Sequence, residues 1–436
     1  MRRAPSFVVT AVAALLLGVL LGDRLTPAQG QAQAQAQAQS GSFAAVPGEK
    51  GGQDIFGAYE VAAWPKPLTS LPGHERWTWG AGQSVFAESP DRVFVLQRGE
   101  LPVVSRPAAP IKLPQIGPSI EFPMFRLPMR DATTASPPGA LFGPDGKTPG
   151  NDLDRGTPGV DFRWEHIVTV FDAEGDLIED WSQWDTMFRR PHAIYISPYD
   201  SEKHVWIVDD YRHAIFKFSN DGKRLLQTIG EPNVPGADDS HFYRPTFMAW
   251  LPDGTFFVAD GYQNTRVVKF DRDGKYLMTW GQRGTPPEKR PGYFNNVHGI
   301  AVDPQTRRVF VNDRNNGRVQ VFDENGKYLD EWSFGRRPVS DVHMFIITSD
   351  RYLWAADRGT SKLVKYSLDG RFQYAWGVWG DFPGAFWGVH GLSVDQDGNV
   401  YTAAVDSGGA QKFVPRTGAN PALLLGKQVN PGWGTR

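Results

Sequence analysis

Phe218-Ser-Asn-Asp-Gly-Lys223, Phe270-Asp-Arg-Asp-Gly-Lys275 and Phe322-Asp-Glu-Asn-Gly-Lys327 repeat one phrase, and its reading decides the fold. In each copy an apolar strand ends on an aromatic residue, a polar turn with glycine follows, and a further strand runs toward Trp-Gly. A fourth copy reads Tyr366-Ser-Leu-Asp-Gly-Arg371. Looser ones stand at Phe171-Asp-Ala-Glu-Gly-Asp176 and Phe413-Val-Pro-Arg-Thr-Gly418. Successive copies are 47, 52, 52, 44 and 47 residues apart. Asp-Gly turns between alternating runs are hairpin chemistry. A period of about 50 residues with roughly four short strands is one blade of a β-propeller. Six copies predict an all-β, six-bladed propeller.

Other strands of the unit are equally regular. Val93-Phe-Val-Leu96, Val205-Trp-Ile-Val208, Phe256-Phe-Val-Ala259, Val309-Phe-Val-Asn312, Leu353-Trp-Ala-Ala356 and Val400-Tyr-Thr-Ala403 read as the second strands. Ile178-Glu-Asp-Trp181, Leu226-Gln-Thr-Ile229, Leu277-Met-Thr-Trp280, Leu329-Asp-Glu-Trp332 and Phe372-Gln-Tyr-Ala-Trp376 read as outer ones. Arg76-Trp-Thr-Trp-Gly80 has the same look but precedes the first blade. It is expected to pair with the last blade and remove the open edge; Ala422-Leu-Leu-Leu-Gly426 competes for that role.

The totals bound the function. Hydrophobic content of 40% supports a sizeable core, and 47 Gly with 34 Pro suit a turn-rich fold. The balance of 46 basic against 48 acidic residues offers no broad basic face, so nucleic acid is not an expected partner. With no cysteine, disulfides, thiolate catalysis and Cys-ligated zinc are excluded.

Arg2 and Arg3, followed by the apolar run from Phe7 to Leu21, have the order of an export signal. A Gln-Ala spacer follows from Gln29 to Ser40. A cleaved signal and a retained membrane anchor both fit. Either places the folded part outside the cytoplasm, periplasmic or secreted. The chain divides into leader and spacer (1–40), an extension (41–74), the propeller (75–428) and a tail (429–436), and a monomer is expected. Within the propeller, 101–160 is a Pro-rich insertion in the first blade, read either as a cover for one mouth or as a decoration.

The chemistry lies where the innermost strands begin. Pro191-His192-Ala-Ile194, Val297-His298-Gly-Ile300 and Val389-His390-Gly-Leu392 share one phase of the repeat, 106 and 92 residues apart. Those gaps are two blades each, and alternate blades of a six-fold ring are related by about 120°. Three imidazoles would therefore converge on the axis and leave a fourth position open, as a catalytic metal requires. His343, in the same phase on the blade between, reads as a donor behind these three or a substitute ligand. Past the second strands stand Arg98, Asp210, Gly261-Tyr262, Arg314 and Arg358. Guanidiniums beside a cationic centre suit a carboxylate substrate. The alternative is that they pair between blades with Asp209, Asp260, Asp313 and Asp357.

Asp260-Gly-Tyr-Gln-Asn-Thr-Arg-Val-Val-Lys-Phe270, Val311-Asn-Asp-Arg-Asn-Asn-Gly-Arg-Val-Gln-Val-Phe322 and Pro191-His-Ala-Ile194 resemble motifs of the peptidyl-α-hydroxyglycine α-amidating lyases, which are propellers of NHL-type repeats. The resemblance covers about residues 75–428 without the insertion. It implies zinc held by His192, His298 and His390, Tyr262 as the base, and Arg98 and Arg314 engaging a substrate carboxylate. The implied reaction breaks the C–N bond of a C-terminal α-hydroxyglycine, giving an amide and glyoxylate. It also implies a calcium on the carbonyls of Val85 and Ile194. The aspartate of that site is Gly391 here, and Gly388 replaces a larger apolar residue. Two other readings keep the fold: different metal chemistry on a small carboxylate, or a non-catalytic propeller that binds protein or glycan.

Overall fold

The structure, a computed structural model, describes residues 55–103, 159–335 and 339–427, and the backbone of two short strands, Ile111–Lys112 and Glu121–Phe122, inside the insertion. The leader, the spacer, most of the insertion and the tail lie outside the described residues. No helix among the described residues is long and apolar enough to cross a membrane.

Six four-stranded antiparallel sheets form the ring. Blade 1 takes Trp77–Ser89, Arg92–Pro102, Val168–Phe171 and Leu177–Asp180, with the insertion between its second and third strands. Blades 2 to 5 are contiguous and begin with Pro191–Ile196, Pro245–Trp250, Val297–Asp303 and Val342–Ile347. Blade 6 takes Val389–Val394, Val400–Ala404 and Ala410–Pro415. Its outer strand comes from the other end of the chain: Tyr59–Val61 pairs with Ala410–Pro415.

The closing strand therefore differs from both sequence expectations. Trp77 to Trp79 instead prolong the first hairpin, Trp77 standing opposite Pro102. Residues 421–423 form a short 3-10 turn. Tyr59 shows why the upstream segment wins. Its ring is fully buried and stacks on Trp376 at 5.3 Å, and its hydroxyl accepts from the Leu425 N–H at 2.7 Å. The ring thus begins inside the extension that the sequence set apart.

Each half of the repeated phrase has a physical task. In the turns, Asp271 and Asp323 accept from the backbone N–H groups of Lys275 and Lys327, at 2.8 and 2.9 Å, an Asx arrangement that fixes the hairpin. The tryptophan ending an outer strand lies over the turn glycine of the next blade: Trp181 over Gly222, Trp280 over Gly326, Trp332 over Gly370. Trp376 meets Gly57 in the same way, so the closing segment repeats the inter-blade contact. Second strands such as Phe256–Asp260 are buried on both faces and read as apolar runs. Outer strands such as Tyr276–Trp280 alternate between part-buried and exposed, as a half-covered strand does.

Tyr59→Ala removes a buried aromatic and unpins the closing strand, so a loss of about 3–5 kcal/mol is expected from denaturant titration. Tyr59→Phe, which orphans only the Leu425 N–H, should lose about 1–3 kcal/mol.

Candidate metal centre and channel mouth

In every blade the innermost strand slips register at an equivalent place: between Gly82 and Ser84, Pro191 and Ala193, Pro245 and Met248, Val297 and Ile300, Val342 and Met344, and Val389 and Gly391; blade 1 slips again between Ala87 and Ser89. A bulge of this kind re-aims the extra residue's side chain. The residues at the bulges include Gln83, His192, Thr246, His298, His343 and His390. His192, His298 and His390, on blades 2, 4 and 6, meet with one ring nitrogen each within 4.8 Å of the others.

Their far nitrogens are held by the intervening blades. His192 Nδ1 lies 3.0 Å from the Thr246 carbonyl, His298 Nδ1 2.5 Å from that of His343, and His390 Nδ1 2.6 Å from that of Gln83. A carbonyl only accepts, so each Nδ1 carries the proton and each Nε2 keeps its lone pair. Burial, then the neighbouring charged and imidazole groups, pushes all three pKa values well below the ordinary histidine value. The rings are thus neutral, the form a metal ligand needs. Phe247, from blade 3, packs against all three at 4.9 to 5.4 Å and makes an apolar floor. The sequence signal was Pro245-Thr-Phe247 at the phase where blade 2 has Pro191-His-Ala193.

Tyr262 stands over this group, its hydroxyl 3.2 Å from His192 Nε2 and 2.9 Å from His298 Nε2. Gly261 makes that position reachable, because a Cβ there would lie 1.5 Å from the Val297 carbonyl oxygen. Arg244 lies over the Tyr262 ring at 4.5 Å. Arg314, beside Tyr262, forms a two-pronged pair with Asp341 at 2.8 and 2.9 Å. It also donates to His343 Nε2 at 2.8 Å. His343 is therefore an acceptor that steadies Arg314, and its Nε2 is already engaged; burial, then Arg314, pulls its pKa down to about 3.

Arg98 is nearly fully buried; among the described residues its Nε reaches the Pro191 carbonyl at 3.4 Å, and Asp210 stands 3.8 Å away. Burial, then the charge of Arg190, lowers its pKa to about 9. It stays charged at neutral pH, and among the described residues its ion pair with Asp210 is a long one. Asp210 is shared with Arg244, at 2.7 Å, and with Arg190, at 3.7 Å. Arg358 pairs with Asp406 at 2.8 Å, beside Gly388. The acids named from sequence as partners serve elsewhere. Asp209 caps backbone N–H groups of residues 189 and 190, Asp260 and Asp313 bind Arg266 and Arg318, and Asp357 accepts from the Asp341 N–H. Arg190, Arg244, Asp341 and Asp406 were missed because they lie in the loops flanking the strands, where the repeat leaves no signature.

Val85 and Ile194 lie on the innermost strands of blades 1 and 2, opposite Val95 and Ile207. Gly391 packs directly on blade 1, where an added Cβ would come within 2.9 Å of Ser84 Cα and 3.1 Å of Val85 N. An aspartate there would have to displace that backbone. The residues present do not suit calcium, which wants a charged oxygen ligand. The three imidazoles, by contrast, suit a divalent first-row metal such as zinc.

Residues 294–322 match the NHL repeat family. The chain is 30% identical over 278 residues to Peptidyl-alpha-hydroxyglycine alpha-amidating lyase 1 of Drosophila melanogaster, covering 59% of this chain and 50% of that protein. It is 36% identical over 180 residues to Peptidylglycine alpha-amidating monooxygenase of Rattus norvegicus, covering 39% of this chain and 18% of that protein. It is also 31% identical over 281 residues to NHL repeat-containing protein 3 of Mus musculus, covering 59% of this chain and 75% of that protein. The chain thus spans half or less of the length of the first two.

Gly391→Asp should be overpacked and cost about 1–3 kcal/mol in thermal unfolding. Added calcium should not restore the lost stability; a calcium-dependent rise in Tm of that variant would show that the cleft opens to hold the ion.

Proposed function

This chain belongs to the NHL-repeat family of propellers, and on that premise we propose that it is a metal-dependent lyase. Its substrate is an α-hydroxyglycine-type carbinolamide, whose C–N bond it splits to give an amide and glyoxylate. The names of its lyase relatives support the substrate class. One observation carries the reading: three proton-free Nε2 atoms converge with the Tyr262 hydroxyl among them, within 2.9 to 3.2 Å of two.

His192, His298 and His390 are the residues that would hold zinc. When bound there, zinc supplies Lewis-acid polarisation that makes a substrate hydroxyl easier to deprotonate. Arg98, buried and only loosely paired with Asp210, binds the substrate carboxylate, and Arg314 steadies charge beside Tyr262. Tyr262, acting as the phenolate, takes the hydroxyl proton and becomes the phenol, which then gives that proton up again. The freed electron pair closes the C=O bond as the C–N bond breaks, and the proton passes to the departing amide nitrogen. Atoms and charge balance without an oxidant. Asp341 and His343 keep the Arg314 guanidinium in one orientation throughout.

The chain, loaded with zinc and offered α-hydroxyhippurate, should release glyoxylate. Tyr262→Phe should bind zinc normally and turn over about 10²–10⁴ times more slowly. His298→Ala should lose both the axial zinc and the activity. Zinc bound at the axial histidines with no glyoxylate formed would point instead to other chemistry on a small carboxylate.

A further inference from the structure

Away from the axis, the first hairpin carries a second group of ligating side chains that the reaction does not use. Trp77–Ser89 and Arg92–Pro102 are 13 and 11 residues long, against 5 to 7 in the corresponding strands of the other blades. The surplus extends the hairpin past Arg98 at the channel mouth. Glu100 sits on that extension, just before the insertion. His166 sits just after the insertion, and His74 leads into the hairpin. Backbone bonds between Glu100 and Arg163, at 2.7 and 3.0 Å, join the two stems of the insertion at this level.

The three side chains face one another. His74 Nδ1 lies 3.0 Å from Glu100 Oε2, and His166 Nδ1 contacts Glu100 Oε1. One ligand atom from each falls within 4.8 Å of the others, and the two rings are 4.7 Å apart. The Glu100 carboxylate is fully buried, and its only side-chain partners among the described residues are these two imidazoles. A buried carboxylate is held by hydrogen-bond donors, a protonated imidazole or a metal cation. The surroundings add more acid, since His166 Nε2 stands 3.4 Å from Asp180, and the buried Asp185 carboxyl accepts from the Ile167 N–H.

We propose that His74, Glu100 and His166 form a second metal site, for a divalent first-row ion of the zinc class, that clamps the neck of the insertion. Both imidazoles turn Nδ1 toward Glu100, a metal there would displace the protons they share with the carboxylate, and Asp180 behind His166 is the outer carboxylate that typically orients a ligating ring. Two nitrogens and one oxygen favour zinc-class ions over calcium or magnesium, which prefer all-oxygen sites. A metal here ties the segment before the hairpin to both stems of the insertion. It also fixes the strand that presents Arg98, two residues from Glu100, to the channel. A purely hydrogen-bonded His–Glu–His network would need no metal.

Zinc content of the loaded, desalted full chain tests this. Wild type should hold one zinc more per chain than His74→Ala or Glu100→Gln, and His298→Ala should keep that zinc while losing the axial one. Zinc should raise the Tm of His298→Ala, and combining it with His74→Ala should abolish the rise. His74 is only part-buried, so its variant carries the test if Glu100→Gln does not fold. Equal zinc in wild type, His74→Ala and Glu100→Gln would overturn the site. Since the axial metal is read separately through His298→Ala, failure here leaves the lyase reading untouched, and the reverse also holds.

Discussion

The Nδ1–H to carbonyl bonds between neighbouring innermost strands are the constraint on which the centre depends. Three bulged histidines on alternate blades donate to three carbonyls at the same bulge on the blades between. One set of bonds therefore does two things. It sews the inner edges of adjacent blades together, and it decides which nitrogen of each ring faces the axis. The residue after each histidine must be small, because the next blade's backbone passes against it: Ala193, Gly299 and Gly391 fill that place. A larger residue would push the strands apart and lengthen those bonds.

The outer wall is held by a different contact with the same periodicity. Tryptophans at the ends of outer strands lie over the turn glycines of the following blade, Gly57 takes the contact from Trp376, and Trp64 passes it on to Gly175 of blade 1. Closure from the far end of the chain leaves blade 6 dependent on Tyr59, whose ring, stacking and hydroxyl bond are all spent on holding it. A ring built this way leaves as edges only the short outer strands of its blades.

Electrostatics sets the character of the mouth. Arg98, Arg190, Arg244, Arg314 and Arg358 gather against Asp210, Asp341 and Asp406, an excess of cation over a neutral, proton-free imidazole cluster. Arg314 is neutralised by a close carboxylate and serves as a fixed dipole. Arg98 is buried, its nearest acid among the described residues stands 3.8 Å away, and it is open to an anion from outside. The two arginines are chemically the same residue, and only their surroundings separate their tasks.

Sequence by itself determined the blade number, the alternation of His192, His298 and His390, and the residues Tyr262, Arg98 and Arg314 beside them. Those features follow a period, and a period survives in one dimension. Tertiary structure alone decided the rest. Which strand closes the ring turned on the fit of Tyr59 to Trp376, a contact between residues far apart in the chain. Asp341 and Asp406, not the acids ending the strands, pair with the mouth arginines, because loop geometry brings them there and the repeat does not encode it. The meeting of His74, Glu100 and His166 is likewise invisible along the chain. It arises only when the prolonged hairpin folds the two stems of the insertion together, and burial then leaves a carboxylate whose charge something must balance.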